Sequence, residues 1–230
     1  MKIPIWDHRK GKSPNANVNP FIKKRVQSHN PDIICITEGD PAMWEEFGHI
    51  ITAEEDYGYP IKAGRRKAFL ISKKPWSNVD TRGSDKLPSG RFIRGTTQGI
   101  DVVGVCIPWS FAHVKGGHKN RSPWEDHSLY LDGLKDILPE LPTSAVVMGD
   151  FNQRIPRKYA TIAMYEKLQQ TFKGFDIHTN GLLQPINKYS IDHFYSKREF
   201  RVTGVTTIDN FQDGVKLSDH FGVVVEGESK

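Results

Sequence analysis

VVMGDFN, residues 146–152, is an apolar run that breaks off at a glycine, an aspartate and an asparagine. Together with Ser144 and Ala145 it lacks the alternation of a half-solvated strand and reads as a strand buried on both faces. Working outward, the same ending recurs. DIICIT, residues 32–37, is a second continuous apolar run and stops at Glu38; the opening KIPIW, residues 2–6, stops at Asp7. Late in the chain, Asp192-His193 and Asp219-His220 stand beside apolar segments near 189–195 and 221–225. A single acidic residue after a strand is ordinarily a turn former or a cap. Four such polar clusters in one short chain point instead to a site assembled from distant sequence at strand ends.

Further strands are predicted over 68–72, 91–96, 100–107 and 200–207. Asn19-Pro20 opens a helix, with Asn as N-cap and Pro at the first helical position. It carries Phe21, Ile22 and Val26 on one side and Lys23, Lys24 and Arg25 around the other, and stops near Asn30-Pro31. Pro123 begins an amphipathic helix with Trp124, Leu131, Leu134 and Leu138 on its apolar stripe, and a third helix is expected over 158–171. Strands throughout with helices between them argue α/β layers, and the absence of a linker-like stretch or a repeat argues one domain over residues 1–230.

The 230 residues hold 32 Lys and Arg against 27 Asp and Glu, a net charge of +5, with 37% hydrophobic and 26% charged. That balance suits a folded chain with a sizeable core and is compatible with a polyanionic partner. No run approaches the roughly 18 apolar residues of a membrane helix. The opening MKIPIWDHRKGK places its charges after its apolar residues, the reverse of a secretory signal. The expectation is a cytoplasmic protein that does not enter the membrane; its oligomeric state is not legible. Cys35 and Cys106 lie in apolar strand text and read as buried reduced thiols. Neither CxxC nor HExxH occurs, which excludes the usual zinc patterns.

The strand-end residues are chemically coherent. Hard divalent cations such as Mg²⁺ take oxygen ligands and need one or two protein carboxylates, which Asp7, Glu38 and Asp219 can supply. An Asp-His pair orients an imidazole toward charge on a phosphoryl oxygen. Asp150, with Asn152 two residues on, can hold and deprotonate a water. The set points to metal-assisted phosphoester hydrolysis.

The chain resembles the endonuclease/exonuclease/phosphatase superfamily, the DNase-I-like fold. The matching text is PDIICITE (31–38), AFLISKKP (68–75), GVCIPW (104–109), VVMGDFN (146–152), SIDHFYS (190–196) and LSDHFGVVVE (217–226), in the family's order along essentially the whole chain. The resemblance implies a four-layer α/β/β/α sandwich of two mainly antiparallel or mixed sheets, with a site at one edge of the sheets. It implies that Glu38 is the metal-binding glutamate, Asp150 the water-activating aspartate and Asn152 the phosphate-orienting asparagine. It further implies that Asp192 pairs with a catalytic His220 and that Asp219 is the metal-associated aspartate. His193, next to Asp192 in a strand, should point to the opposite face and is read as structural.

Two positions depart from the pattern. Trp6-Asp7 stands where the family usually has Trp-Asn; the aspartate keeps an oxygen for a metal and adds a charge. Cys106 stands where many members carry His or Tyr, and a thiol is a poor donor to a phosphate. His113 or His118, in the loop SFAHVKGGHKNRSP (110–123), is a candidate to take over, and Arg121 and Arg154 are candidate substrate contacts. Arg65-Arg66-Lys67 reads more as a charged turn before a strand than as a phosphate grip. Trp109 suits either stacking on a base or burial beneath the loop.

The resulting expectation is a Mg²⁺- or Mn²⁺-dependent phosphodiesterase, a nuclease acting on DNA or RNA. The same fold serves phosphatases and phosphodiesterases of small-molecule and lipid phosphates. The cysteine-bearing signature of inositol polyphosphate 5-phosphatases is replaced by SIDHFYS, and no apolar membrane-inserting hairpin is evident. A non-catalytic nucleic-acid-binding module is the alternative of another class.

Overall fold

The computed structural model describes residues 1–8, 19–60 and 62–230, Asn19 by its backbone alone. Its strands in chain order are β1 (Lys2–Asp7), β2 (Ile33–Gly39), β3 (His49–Thr52), β4 (Arg66–Ser72), β5 (Ser77–Asp80), β6 (Phe92–Thr97), β7 (Ile100–Cys106) and β8 (Val146–Asp150). There follow β9 (Asp176–Ile177), β10 (Leu182–Leu183), β11 (Lys188–Tyr189), β12 (Asp192–Ser196), β13 (Phe200–Ile208), β14 (Phe211–Gln212), β15 (Val215–Lys216) and β16 (Gly222–Ser229). The α-helices are α1 (Asn19–Ser28), α2 (Glu125–Ile137) and α3 (Ile162–Thr171), with 3-10 turns at Pro41–Phe47 and Leu138–Glu140.

Two six-stranded sheets hold the fold, in the orders β13-β16-β1-β2-β4-β3 and β5-β6-β7-β8-β12-β9. Each is mostly antiparallel with one central parallel pair: β1 with β2, and β7 with β8. A parallel pair needs a crossover, and α1 and α2 lie in those two connections.

Alternation along the strands divides the apolar residues into three layers. Ile3, Ile5, Ile33, Cys35, Leu70, Val102, Val146, Met148, Phe194, Val223 and Val225 pack between the sheets. The opposite faces carry Trp6, Ile34, Ile36, Phe69 and Val224 toward Ile22 and Val26 of α1, and Val103, Val105, Val147 and Tyr195 toward Leu131, Leu134 and Leu168 of the other two helices. This is the four-layer sandwich expected from the sequence. Phe21, placed with Ile22 and Val26 on the apolar side of α1, is exposed.

Differences from the sequence reading cluster at element ends. The second helix starts at Glu125 rather than Pro123, because Trp124 sits in the left-handed region at φ 70° and Glu125 turns back to accept the Ser122 amide at 2.8 Å. The third starts at Ile162, four residues after Lys158, where Thr161 accepts the Met164 amide and caps it. The strand expected over 189–195 is divided, since Ser190 accepts the Asp192 amide in a tight turn at 2.9 Å. The short edge strands β3 and β5 carry little apolar periodicity and were not foreseen. Cys35 and Cys106 are buried free thiols. No described helix is long and apolar enough to cross a membrane.

Candidate active site

The alternation that builds the core also aims the polar strand ends. Asp7 continues the inward-facing series Ile3 and Ile5, Asp150 continues Val146 and Met148, Asp192 precedes inward-facing Phe194, and Cys106 follows Val102 on the same face. Register then lines them up. Cys106 pairs with Asp150 and Asp150 with Asp192 across sheet two, while Asp7 pairs with Thr37 across sheet one. The inter-sheet core thus ends in a mouth lined with carboxylates.

Backbone devices hold this mouth in shape. A Cβ at Gly149 would lie 2.0 Å from the Val105 carbonyl oxygen, at φ 135°, so only glycine lets β8 approach β7 this closely before Asp150. Glu38 would face outward by strict alternation, but it sits at φ 52° and its carboxylate lines the cleft. Asn152, at φ 51°, donates its amide N–H to Asp150 Oδ1 at 2.8 Å and its Nδ2 to Asp150 Oδ2 at 2.7 Å and the Ile107 carbonyl at 2.9 Å. Left-handed backbone at a non-glycine residue costs roughly 1–2 kcal/mol, and such strain concentrates at functional sites.

His220 joins the two sheets. It lies just before β16 of sheet one, and its Nδ1 donates to Asp192 Oδ2 of sheet two at 2.8 Å. Its backbone is fixed as well: Trp6 Nε1 donates to its carbonyl at 3.1 Å and its amide donates to Ser218 Oγ at 3.1 Å. Ser218 Oγ donates in turn to the Asp7 carbonyl at 2.6 Å, and Thr37 Oγ1 donates to Asp7 Oδ2 at 2.8 Å. Two sets of ligand-type atoms share this histidine, Asp7 with Asp219 and Asp150 with Asp192, each set lying within 4.8 Å of one another. Asp192 Oδ1 is buried and meets no hydrogen-bond donor among the described residues.

So many buried carboxylates set an unusual electrostatic state. Burial, reinforced by Glu38 and Asp192 against the pull of His220, pushes the Asp7 carboxyl up to about 7. Burial also raises Asp150 well above the carboxylate range, with Asp192 and Asp7 adding to the rise. For His220 burial works against the charged form, yet Asp192, Asp7 and Asp150 outweigh it and hold the imidazole protonated well above its ordinary range. Glu38 differs: burial raises it, but ion pairs with Lys67 and Arg65 hold it down to about 2.

The mouth opens into a cleft of ≈ 470 Å³ whose lining includes Asp7, Glu38, Asp150, Asn152 and His220. Its other wall is cationic and aromatic, with Arg65, Lys67, Arg91, Tyr57, Tyr59 and Trp109. Asp219 and Arg154 line an adjoining hollow of ≈ 400 Å³ that shares Asn152 and His220 with the cleft. His113, His118 and Arg121 face a second cavity of ≈ 390 Å³ that shares Tyr57 and Arg91 with the cleft. There Arg121 is paired with Glu125 and Asp126, and the His113 ring packs between Tyr59 at 4.5 Å and His118 at 5.2 Å. The structure therefore gathers Asp7, Glu38, Asp150, Asn152, Asp192, Asp219 and His220 at one place, and sets the loop histidines behind the cleft wall. His193 is fixed between Thr179 Oγ1 and the Gln153 carbonyl at 2.8 Å each, on the face away from Asp192.

Sequence reasoning missed the cationic wall. Arg65 and Lys67 flank the start of β4, and the parity of Glu38 gave no sign that they would meet it. The run of three cations in RRK before a strand carried the signal, but a solvated turn was the simpler reading.

The family model for the Endonuclease/Exonuclease/phosphatase family matches residues 15–220. Among solved structures, an AP endonuclease from Archaeoglobus fulgidus is 18% identical with a TM-score of 0.70, covering 98% of each chain. A 3' phosphatase, NExo, from Neisseria bound to a product DNA hairpin is 16% identical with a TM-score of 0.73 over 99% of each chain. A mannosyl-6-phosphatase from Bacteroides thetaiotaomicron is 15% identical with a TM-score of 0.64 over 99% of each. No curated protein matches the chain in sequence. Likeness at these identities speaks for the fold. The family match takes in Glu38, Asp150, Asp192 and His220, and by it the chain belongs to the endonuclease/exonuclease/phosphatase family.

Proposed function

We propose that the chain is a divalent-metal-dependent phosphoester hydrolase that cleaves nucleic-acid phosphodiesters. The observation that carries this reading is one histidine shared by two carboxylate pairs at the floor of a cleft whose facing wall is cationic.

The donor set fits a hard cation. Asp7, Glu38 and Asp219 offer oxygen ligands, and burial pushes the Asp7 carboxyl up to about 7 beside the carboxylates of Glu38 and Asp192. These three would hold Mg²⁺ or Mn²⁺. When bound, such an ion neutralises phosphoryl oxygens and the leaving oxygen.

The chain's own residues supply the rest. Asn152 fixes the Asp150 carboxyl from two directions; a cation held beside it would offset the burial that raises it and leave it ionised, oriented to take a proton from an attacking water. The water oxygen bonds to phosphorus, the ester P–O bond breaks opposite it, and the released oxygen takes its proton from solvent. His220, kept protonated and aimed by Asp192, meets the charge that builds on a non-bridging oxygen. The Lys and Arg side chains of the cleft and the basic net charge of +5 suit a phosphodiester backbone.

The test is hydrolysis of labelled single- and double-stranded DNA, RNA, bis-p-nitrophenyl phosphate and an inositol polyphosphate, with Mg²⁺, Mn²⁺ or EDTA. Metal-dependent cleavage of a nucleic acid that vanishes in Asp150→Ala supports the proposal. Turnover of the inositol phosphate alone moves the substrate to the small-molecule class, and Mg²⁺-insensitive binding of nucleic acid without turnover supports a binding module.

A further inference from the structure

We infer that His127 is a positioning residue: its imidazole, acting through Gln153, sets the place of Asn152 and so the aim of the Asp150 carboxyl. The inference rests on the hydrolase reading of the site and adds to it the device that holds the water-activating pair.

Helix α2 buries Tyr130, Leu131 and Leu134 in its apolar stripe, and His127 stands one turn earlier on the same face, fully buried. An aliphatic side chain suits such a position; here burial holds an imidazole down to about 4, hence neutral. Its two nitrogens then have different tasks. A carbonyl can only accept, so Nδ1 donates to the Pro108 carbonyl at 2.7 Å. Nε2 is left as the acceptor and takes a hydrogen bond from Gln153 Nε2 at 2.8 Å.

Both partners adjoin the contacts of Asn152. Gln153 follows Asn152 directly, and Pro108 follows Ile107, whose carbonyl accepts from Asn152 Nδ2 at 2.9 Å. One ring therefore ties together the two segments, after β7 and after β8, between which the Asn152 side chain is strung. Gln153 is held from its other side as well. Its carbonyl accepts from His193 Nε2 at 2.8 Å, and its Nε2 donates a second time, to the Met164 carbonyl of α3 at 3.2 Å.

The His127 tautomer forces the orientation of the glutamine. Turning its amide over would set Oε1 against two acceptors, His127 Nε2 and the Met164 carbonyl. As it stands, Gln153 Oε1 is buried and meets no donor among the described residues. A buried acceptor without a donor is unfavourable, so packing alone does not account for this amide. What the clamp holds is the left-handed backbone of Asn152, at φ 51°, the conformation in which its amide and its Nδ2 both reach Asp150. His127 is not among the described residues that line the cleft. It exchanges no proton with the reacting atoms and acts only through the residue it aims.

The experiment compares the full chain as wild type, His127→Phe, His127→Gln and Gln153→Met, and sets His127→Phe and Gln153→Met also in an Asn152→Ala background. Steady-state kinetics are measured with Mg²⁺ on the best substrate of the panel. The Asn152 side-chain amide is followed by NMR in the metal-free protein, assigned by its loss in Asn152→Ala. His127→Phe keeps a ring and loses both bonds, and kcat should fall by about 10–100-fold with KM little changed; Gln153→Met should match it. His127→Gln keeps an oxygen for Gln153 Nε2 and should recover part of kcat. In the Asn152→Ala background the same substitutions should cost less than about threefold, because the group they aim is gone. The Asn152 Nδ2 protons should shift and exchange at least about tenfold faster in His127→Phe, while the Mg²⁺-induced rise in Tm persists. If His127→Phe does not fold, Gln153→Met decides. A kcat within about threefold of wild type in the folded variants overturns the inference and leaves the functional reading in place. So does a loss that is the same with and without Asn152, or one that leaves the Asn152 resonances unmoved. A wild type that hydrolyses nothing sinks the hydrolase reading, and the Asn152 resonances then decide alone: moved in His127→Phe they support the clamp, unmoved they overturn it.

Discussion

Replacing Asp7 with Asn should stabilise the metal-free protein at neutral and alkaline pH. Asp7 is 1% exposed, and burial lifts its carboxyl from 3.8 to about 7. Between those values the folded chain binds a proton that the unfolded chain has released, so folded stability falls as pH rises through the window. A gap of about three pK units at 1.36 kcal/mol each amounts to about 4 kcal/mol lost above pH 7. Asn keeps an oxygen for the Thr37 hydroxyl and removes the charge. Part of the gain is returned, because Asp7 helps hold His220 as a cation. The net expectation is about 2 kcal/mol, or roughly 4–8 °C in Tm for a chain of this size. The assay is thermal unfolding of wild type and Asp7→Asn in EDTA from pH 4 to pH 8.5, repeated with millimolar Mg²⁺. The two proteins should coincide near pH 4 and diverge as pH rises, with the variant the more stable. Mg²⁺ should raise the wild type more, since a ligand that binds only the fold stabilises by mass action. A wild type equal to or more stable than the variant at pH 8 in EDTA would refute the argument that the mouth holds excess buried charge.

Further outcomes follow from the same geometry. Asp192→Asn removes the charge nearest His220; kcat should fall by about 10²–10⁴-fold, and the alkaline limb of the pH–rate profile should move to lower pH as the histidine gives up its proton sooner. Glu38→Gln leaves Arg65 and Lys67 without their carboxylate, at a cost of about 1–3 kcal/mol. Because ion pairs hold Glu38 to about 2, its contribution is present above the ordinary carboxylate range and lost as pH falls toward 2, so urea unfolding from pH 3 to 7 should show a flatter acid limb in the variant. Gly149→Ala meets the Val105 carbonyl at 2.0 Å and should cost more than about 3 kcal/mol or abolish cooperative unfolding. Gly174→Ala, also at positive φ but with nothing within 4 Å of the added methyl, should cost only about 1 kcal/mol by the same urea assay.

The apolar runs determined that the chain folds in α/β layers, because strands buried on both faces can exist only between covering layers; the four-layer sandwich itself followed from the family resemblance. They also determined where the acidic residues at their ends would lie. A carboxylate that ends such a run lies at a strand end by necessity, and the parity of Asp7, Asp150 and Asp192 with their strands' core residues sends all three to the inter-sheet face. His193 was separable from Asp192 by the same parity. Tertiary structure decided whatever depended on contacts between segments distant in sequence. Glu38 reaches the cleft through a positive φ that breaks alternation, and there it meets Arg65 and Lys67. The loop histidines, near Cys106 in sequence, are drawn behind the wall: the His113 ring packs tilted against Tyr59 and faces Asp126, and His118 stacks on His113. Arg91, fifteen residues before Cys106, is brought against it by the antiparallel pairing of β6 and β7. Strand periodicity is local and is written in every second residue; a loop's path is fixed by the packing it meets at its far end, which no local pattern records.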